Sequence, residues 1–205
     1  MDYITAVVLF AIVSAVTPGP NNITVMASGA NFGIRKSLPV FLGICIGFAI
    51  MLLLVGIGFG QIFEKFPVLH LMVKLFGTMY LLYLAYLIAT AAELSTANAQ
   101  AKPLTFMHGV LFQWLNGKAW VVATGAIAAF TTVGADFYTQ NFIIAFIFLI
   151  FSFPCVGIWL FFGSMLKTLL KSRQHRRMFN YAMAGLLVIS VIPVVIELTV
   201  IFINK

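Results

Sequence analysis

The chain has 205 residues, 62% of them apolar and 8% charged, with a mean hydropathy of +1.09. Soluble domains carry charge on about a quarter of their residues, so this composition excludes one and leaves a membrane bundle. The formal net charge of +7 raises nucleic acid as a partner, but the positions of the charges, taken up below, read as topology.

A helix needs roughly 20 mostly apolar residues to cross a bilayer. On that measure six spans are predicted, at about 3–30, 38–62, 67–91, 106–132, 138–163 and 178–203. The expected fold is an all-α membrane protein: six transmembrane helices forming one transporter domain over residues 1–205. The polar stretch Ala91 to Thr105 is the long connection. It divides the chain into half-repeats of about 1–91 and 106–205, with a linker at about 92–105. Three spans per half is an odd number, so repeats of this kind are inverted across the membrane.

Span one contains Thr17-Pro18-Gly19-Pro20-Asn21-Asn22. Each proline lacks an N–H and clashes with the carbonyl four residues back, so the carbonyls of Ser14 and Val16 are expected to lose their helical partners. Gly19 lets the chain turn, and the helix is expected to restart near Asn21 or Asn22 with an asparagine as its cap. Two half-helices then direct opposite dipole ends at one locus. Free N–H groups suit a carboxylate and freed carbonyls suit an ammonium group, which together describe a zwitterionic amino acid. A cleaved leader is not expected, because the segment before the apolar run carries Asp2 and no Lys or Arg.

Span two carries Gly43-x-x-x-Gly47 and Gly56-x-Gly58-x-Gly60. Without a βαβ context these are not a phosphate loop, and close helix packing is expected of them. In span three, His70 and Lys74 are expected at the outer interface, and Tyr80, Tyr83 and Tyr86 are expected to pack rather than bind.

Span four repeats the interruption with Gln113-Trp114-Leu115-Asn116-Gly117-Lys118. Interrupted hydrophobic segments at matching places in two halves point to a transporter's substrate site. Lys118 lies roughly a dozen residues into its span, near mid-bilayer at about 1.5 Å per residue. A lysine at that depth is a functional-site candidate. It could bind a substrate carboxylate, contact carbonyls exposed by the first break, release its proton when the site is empty, or snorkel to an interface. Gln113 precedes the break by one turn and is expected near the same cavity. Glu197, four residues after Pro193, is the acid placed inside a span. Lys118 and Glu197 are therefore the candidates for proton coupling.

Arg35, Lys36, Lys102, Lys167, Lys171, Arg173, Arg176 and Arg177 fall in three connections on one side of a six-span chain. Lys65 and Lys205 on the other side are offset by Asp2, Glu64 and Asp136. The positive-inside rule puts the basic connections in the cytoplasm and both termini outside. Membrane lipid, with an attraction for anionic headgroups, is the partner that follows, and nucleic acid is not. Cys45 and Cys155 each sit in an apolar span and are expected as free buried thiols.

These residues resemble the LysE/RhtB family of bacterial amino-acid exporters. The resemblance rests on Thr17-Pro18-Gly19-Pro20-Asn21-Asn22, Phe32-Gly33-Ile34-Arg35, Gly77-x-x-Tyr80-Leu81-x-Tyr83-Leu84, and Phe106-x-x-Gly109 leading to Asn116-Gly117-Lys118-Ala119. It runs through spans one to four in order, whereas spans five and six match in hydrophobic character. The paired asparagines and the Gln-aromatic-x-Asn-x-Lys break look most like the cysteine/O-acetylserine branch. Many relatives carry proline where this chain has Gly117, so a more flexible second break is expected here.

The resemblance implies proton-coupled efflux of an amino acid or derivative across the bacterial inner membrane. Threonine, homoserine and branched amino acids stay open as alternatives, as does a metal ion or another small solute. The expected substrate-binding residues are Thr17, Pro18, Gly19, Pro20, Asn21, Asn22, Gln113, Asn116 and Lys118. A homodimer is compatible with the GxxxG spacing. No cofactor, metal set or catalytic residue is expected: Gly-x-Ser-x-Gly and His-Glu-x-x-His are missing, and the three histidines, His70, His108 and His175, are scattered.

Overall fold

The computed structural model describes residues 2–59, 65–94, 102–132, 134–170 and 172–203. Its helices are α1 (Tyr3–Val16), α2 (Pro20–Phe32), α3 (Ile34–Leu54, continued by a π-helical turn at Val55–Phe59), α4 (Pro67–Leu94), α5 (Phe106–Leu115), α6 (Gly117–Phe130), α7 (Phe137–Leu169) and α8 (Arg173–Ile203). No strand occurs among the described residues. The segments Ile34–Gly58, Phe137–Leu169 and Arg173–Val200 are each long and apolar enough to cross a membrane, and α1 with α2 forms a fourth span bent by 53°. The apolar part of α4, Leu75–Ala91, and the α5–α6 pair supply the remaining two segments. The chain is thus an all-α, multi-pass membrane protein with breaks in its first and fourth spans. Gly60, Glu64, residues 95–101 of the linker, Lys171 and Lys205 lie outside the described residues, as do the side chains of His70, Lys74 and Glu197.

Local chemistry sets the helix ends. The Asp2 carboxylate accepts the Thr5 N–H at 2.7 Å and caps α1. Gly33, with φ of 79°, turns the chain from α2 directly into α3, a left-handed conformation that glycine adopts without steric penalty. Thr105 and His108 close a reciprocal capping box at the start of α5.

Close approach of backbones explains four of the glycines, Gly29, Gly43, Gly109 and Gly163. A Cβ on Gly43 would overlap the Phe106 carbonyl oxygen, and one on Gly109 would lie 2.7 Å from the Ile44 nitrogen. Likewise, a Cβ on Gly163 would overlap the Met26 carbonyl, and one on Gly29 would lie 3.1 Å from the Ser164 nitrogen. The Gly43–Gly47 pair therefore serves contact within the bundle, α3 against α5, as small residues do in lipid.

Two apolar clusters form the core. One joins Ile23, Val40, Ile44, Leu84, Phe112 and Leu187, with contributions from α2 and α5. The other joins Val7, Ala11, Leu52, Ala123, Ile144 and Phe148, with contributions from α1 and α6. Each cluster thus takes one half of both interrupted spans. At the level of whole spans, the first packs on the fifth and the fourth on the second, while second meets fifth and third meets sixth. Exchanging the two halves of the chain maps this set of principal contacts onto itself.

Candidate functional site

The two interruptions meet. α1 ends at Val16 with Thr17 as its C-cap, and α2 starts with Pro20 as its first residue and Gly19 as its N-cap. This corrects the expected asparagine cap. Proline is favoured at the first helical position because that N–H is an orphan in any case, which leaves Asn21 and Asn22 already inside the helix. Asn22 instead turns back, its Nδ2 donating to the carbonyls of Ala15 at 2.9 Å and Thr17 at 3.0 Å. That one buried side chain ties the two half-helices together. The N–H groups of Asn21 and Asn22 belong to the first turn of α2 and have no intrahelical acceptor.

With Pro20 four residues on, the Val16 carbonyl has no helical donor, as expected. Val16 is not left open: the Trp159 Nε1–H of α7 donates to its oxygen at 3.1 Å. The Thr17 hydroxyl bonds back to the Val13 carbonyl, so it is the Thr17 backbone oxygen that faces the second break.

At that break Asn116 leaves the helix (φ −94°, ψ 105°) and caps α6, accepting the Lys118 N–H at 3.1 Å. The Lys118 side chain crosses to the first break, with Nζ 2.8 Å from the Thr17 oxygen and 3.5 Å from the Pro18 oxygen. Of the roles open to it, this is contact with exposed carbonyls. Gly19 makes the approach feasible, because a Cβ there would stand 2.9 Å from Lys118 Cδ and 3.2 Å from Nζ. Gly19 is extended (φ −175°), so space rather than conformation demands glycine here. Gly117, by contrast, is exposed, and a Cβ on it would meet nothing within 4 Å.

An amide layer lies beside this bridge. Asn21 Nδ2 donates to Gln113 Oε1 at 2.9 Å, and Gln113 Nε2 donates to Asn21 Oδ1 at 3.2 Å. Gln113 also donates to the Gly109 carbonyl at 3.0 Å, and Asn116 Nδ2 donates to Asn21 Oδ1 at 3.2 Å. Gln113 is fully buried. Asn22 Oδ1, also buried, has no hydrogen-bond partner among the described residues, although a buried acceptor is normally satisfied.

A cavity of about 50 Å³ opens onto this group, room enough for water. Thr17, Gly19, Asn21, Asn22, Asn116 and Lys118 line it, whereas Pro18, Pro20 and Gln113 do not. Ser14, Ser152 and Phe148 also line it, from α1 and α7, together with apolar residues of α3 and α6. Sequence reasoning passed over Ser152 and Trp159. A serine within an apolar span was a usable signal for the first, but nothing local marks Trp159.

Tyr83 and Tyr86 are 49% and 64% exposed, so neither packs in the interior, and Tyr83 lines a second cavity. Tyr80 does pack against the core, and its hydroxyl donates to the His108 carbonyl at 3.3 Å. Cys45 and Cys155 are free and buried. No cluster of three or more His, Cys, Asp or Glu residues suited to a metal occurs among the described residues.

An all-α bundle with two broken spans whose ends converge on a small polar cavity is the architecture of a membrane transporter. The family model for LysE type translocators matches residues 12–196. The chain belongs to that family, whose members are transporters and not enzymes. It is 31% identical over 182 residues to the cysteine/O-acetylserine efflux proteins of Escherichia coli (strain K12) and Shigella flexneri, covering 87% of this chain and 90% of each relative. No solved structure matches.

Proposed function

We propose that this chain is a secondary active exporter of small amino acids or their derivatives, of the cysteine/O-acetylserine kind, in the bacterial inner membrane. The observation that carries this reading is the Lys118 bridge to the Thr17 oxygen. It is an ammonium–carbonyl contact already made inside the protein, and a zwitterion can insert itself into it. The substrate's ammonium group replaces Nζ on the Thr17 oxygen. Its carboxylate then takes the released Lys118 and the N–H groups at the start of α2, where the helix dipole favours an anion.

Asn21, Asn22 and Asn116 supply further polar contacts, and Pro18 and Pro20 hold the break open. Proton antiport follows if Lys118 gives up its proton to the cytoplasm as the substrate displaces it from Thr17, meets the carboxylate as a neutral donor, and is reprotonated from outside after release. Glu197 is the second candidate for that proton. The span-level contacts, unchanged when the halves are exchanged, support inverted repeats that rock about the paired breaks. The clustering of positive charge in three connections supports an orientation with Arg35, Lys102, Arg173, Arg176 and Arg177 facing the cytoplasm and both termini outside.

The test uses inside-out vesicles and labelled cysteine, O-acetylserine, threonine and leucine, with and without an acid-inside gradient. Gradient-dependent accumulation of cysteine or O-acetylserine is expected, with none in a Lys118→Met variant that inserts normally. Normal transport by Lys118→Met would remove the bridge from the mechanism.

A further inference from the structure

A second cavity, of about 360 Å³, lies between α2, the C-terminal half of α4 and the segment leading into α5. It shares no lining residue with the first cavity. On α2 it begins at Thr24, one helical turn beyond Asn21, so the amide layer of Asn21, Gln113 and Asn116 stands next to it. Its walls are apolar over most of their area, with Thr24, Ser28, Lys102 and His108 among its polar groups and Asn31, Tyr83 and Thr105 beside them, the usual make-up of a small-molecule pocket.

Two of these groups are held ready for a ligand. Thr24 is 1% exposed, and its hydroxyl has no partner among the described residues. A helical threonine ordinarily satisfies itself on the carbonyl one turn back, so an unused hydroxyl beside a cavity is an available acceptor. His108 is also poised. The Thr105 N–H donates to its Nδ1 at 3.1 Å, which makes Nδ1 the acceptor. Nε2 is then the nitrogen that carries the ring proton and is left to donate. Lys102 is exposed and adds a positive charge to the same wall.

We propose that this cavity is a loading site, which takes the zwitterionic substrate before it reaches the broken helices. The Thr24 and Ser28 oxygens accept from the ammonium group, and Lys102 and His108 attract the carboxylate. The inference rests on the transport reading above, and on the basic connections marking the cytoplasmic side. It adds a separate site, with its own residues, on the side from which an exporter draws its substrate. The path then has two polar stations, one on each side of the Asn21–Gln113–Asn116 layer.

A difference between the two faces tests it. Thr24→Val keeps the shape and removes the hydroxyl, and Thr24→Ser keeps the hydroxyl. Uptake of labelled O-acetylserine and cysteine would be measured in inside-out vesicles, where the cytoplasmic face meets substrate, and by entry counterflow in right-side-out vesicles. Loss of a hydrogen bond to a charged group weakens binding about tenfold or more. For Thr24→Val the expected result is a KM raised about tenfold from the cytoplasmic face, with Vmax retained and KM from the external face unchanged. Thr24→Ser is expected to behave as wild type, and the detergent-solubilised valine variant should unfold at a temperature no lower than wild type, since the hydroxyl it loses is buried without a partner.

An unchanged KM on both faces, or an equal rise on both, would overturn the loading site while leaving the transporter reading standing. Wild-type vesicles that accumulate neither substrate would overturn both.

Discussion

Replacing Gly19 by alanine probes the bridge between the two breaks without touching either partner. The new Cβ would lie 2.9 Å from Lys118 Cδ and 3.2 Å from Nζ. Since φ at Gly19 is −175°, the backbone itself accepts alanine without strain. The clash falls on the far end of a flexible side chain, so Lys118 swings away and its 2.8 Å bond to the Thr17 oxygen is lost. With Lys118 pushed aside, the substrate carboxylate loses the partner proposed for it, and a hydrogen bond to a charged group contributes about 1.5–3 kcal/mol. Since about 1.4 kcal/mol is a factor of ten, transport efficiency should fall roughly ten- to a hundredfold.

Gly19 is also the N-cap of α2, and alanine is the poorer cap by less than about 1 kcal/mol. A double-mutant cycle on thermal unfolding separates the two effects. In a Lys118→Met background the bridge is already absent, so Gly19→Ala should cost the cap term alone. Gly117→Ala is the matched control at the other break, where nothing stands within 4 Å, and it should transport normally. Equal transport by Gly19→Ala and Gly117→Ala would refute the reasoning. So would a cost for Gly19→Ala that is undiminished in the Lys118→Met background.

Three further outcomes follow from the same geometry. Gly163→Ala drives a Cβ into the Met26 backbone, and overpacking of this kind costs about 1–3 kcal/mol. The melting temperature in detergent should drop, whereas Gly125→Ala, with nothing within 4 Å, should leave it unchanged or raise it. Gly117→Pro places proline at the first position of α6 after an extended Asn116, which both residues accept. Transport should persist, and thermal stability should rise by up to about 1 kcal/mol through the unfolded chain. The Asp2 carboxyl is held below its ordinary value of 3.8 by the bond it accepts from the Thr5 N–H. A depressed carboxyl stabilises above the unfolded pKa and loses that contribution as the pH falls through the folded one. Amide exchange at Thr5 should therefore show less protection below about pH 4, relative to Asp2→Asn, than above it.

Much of this architecture was legible from local chemistry. Hydropathy located the spans because a bilayer admits only segments whose backbone is satisfied internally. Pro18 and Pro20 marked the first break because each removes a donor from the helix ladder. The lone Lys118 in an apolar span marked the second, since such a charge requires a polar destination. The capping box of Thr105 and His108 is equally local, but it was not read from the sequence, because histidine stands where the pattern has Glu or Gln.

The destinations themselves were decided by packing. Lys118 and Thr17 are 101 positions apart, Asn21 and Gln113 are 92, and Trp159 and Val16 are 143. No local pattern specifies that Trp159 rather than water covers the Val16 oxygen, or that Asn22 turns back to α1 instead of capping α2. Those outcomes depend on where α7 lies against α1 and α2, and that placement is set by close approaches such as Gly163 on Met26 and Gly29 on Leu160. The sequence by itself determined the spans, the two interruptions and the charge asymmetry, because these follow from solvation and backbone sterics within a few residues. Only the tertiary structure decided which freed carbonyl meets Lys118, which amides form the layer between the cavities, and that Thr24 is left with an unused hydroxyl, because each depends on side chains brought together from distant parts of the chain.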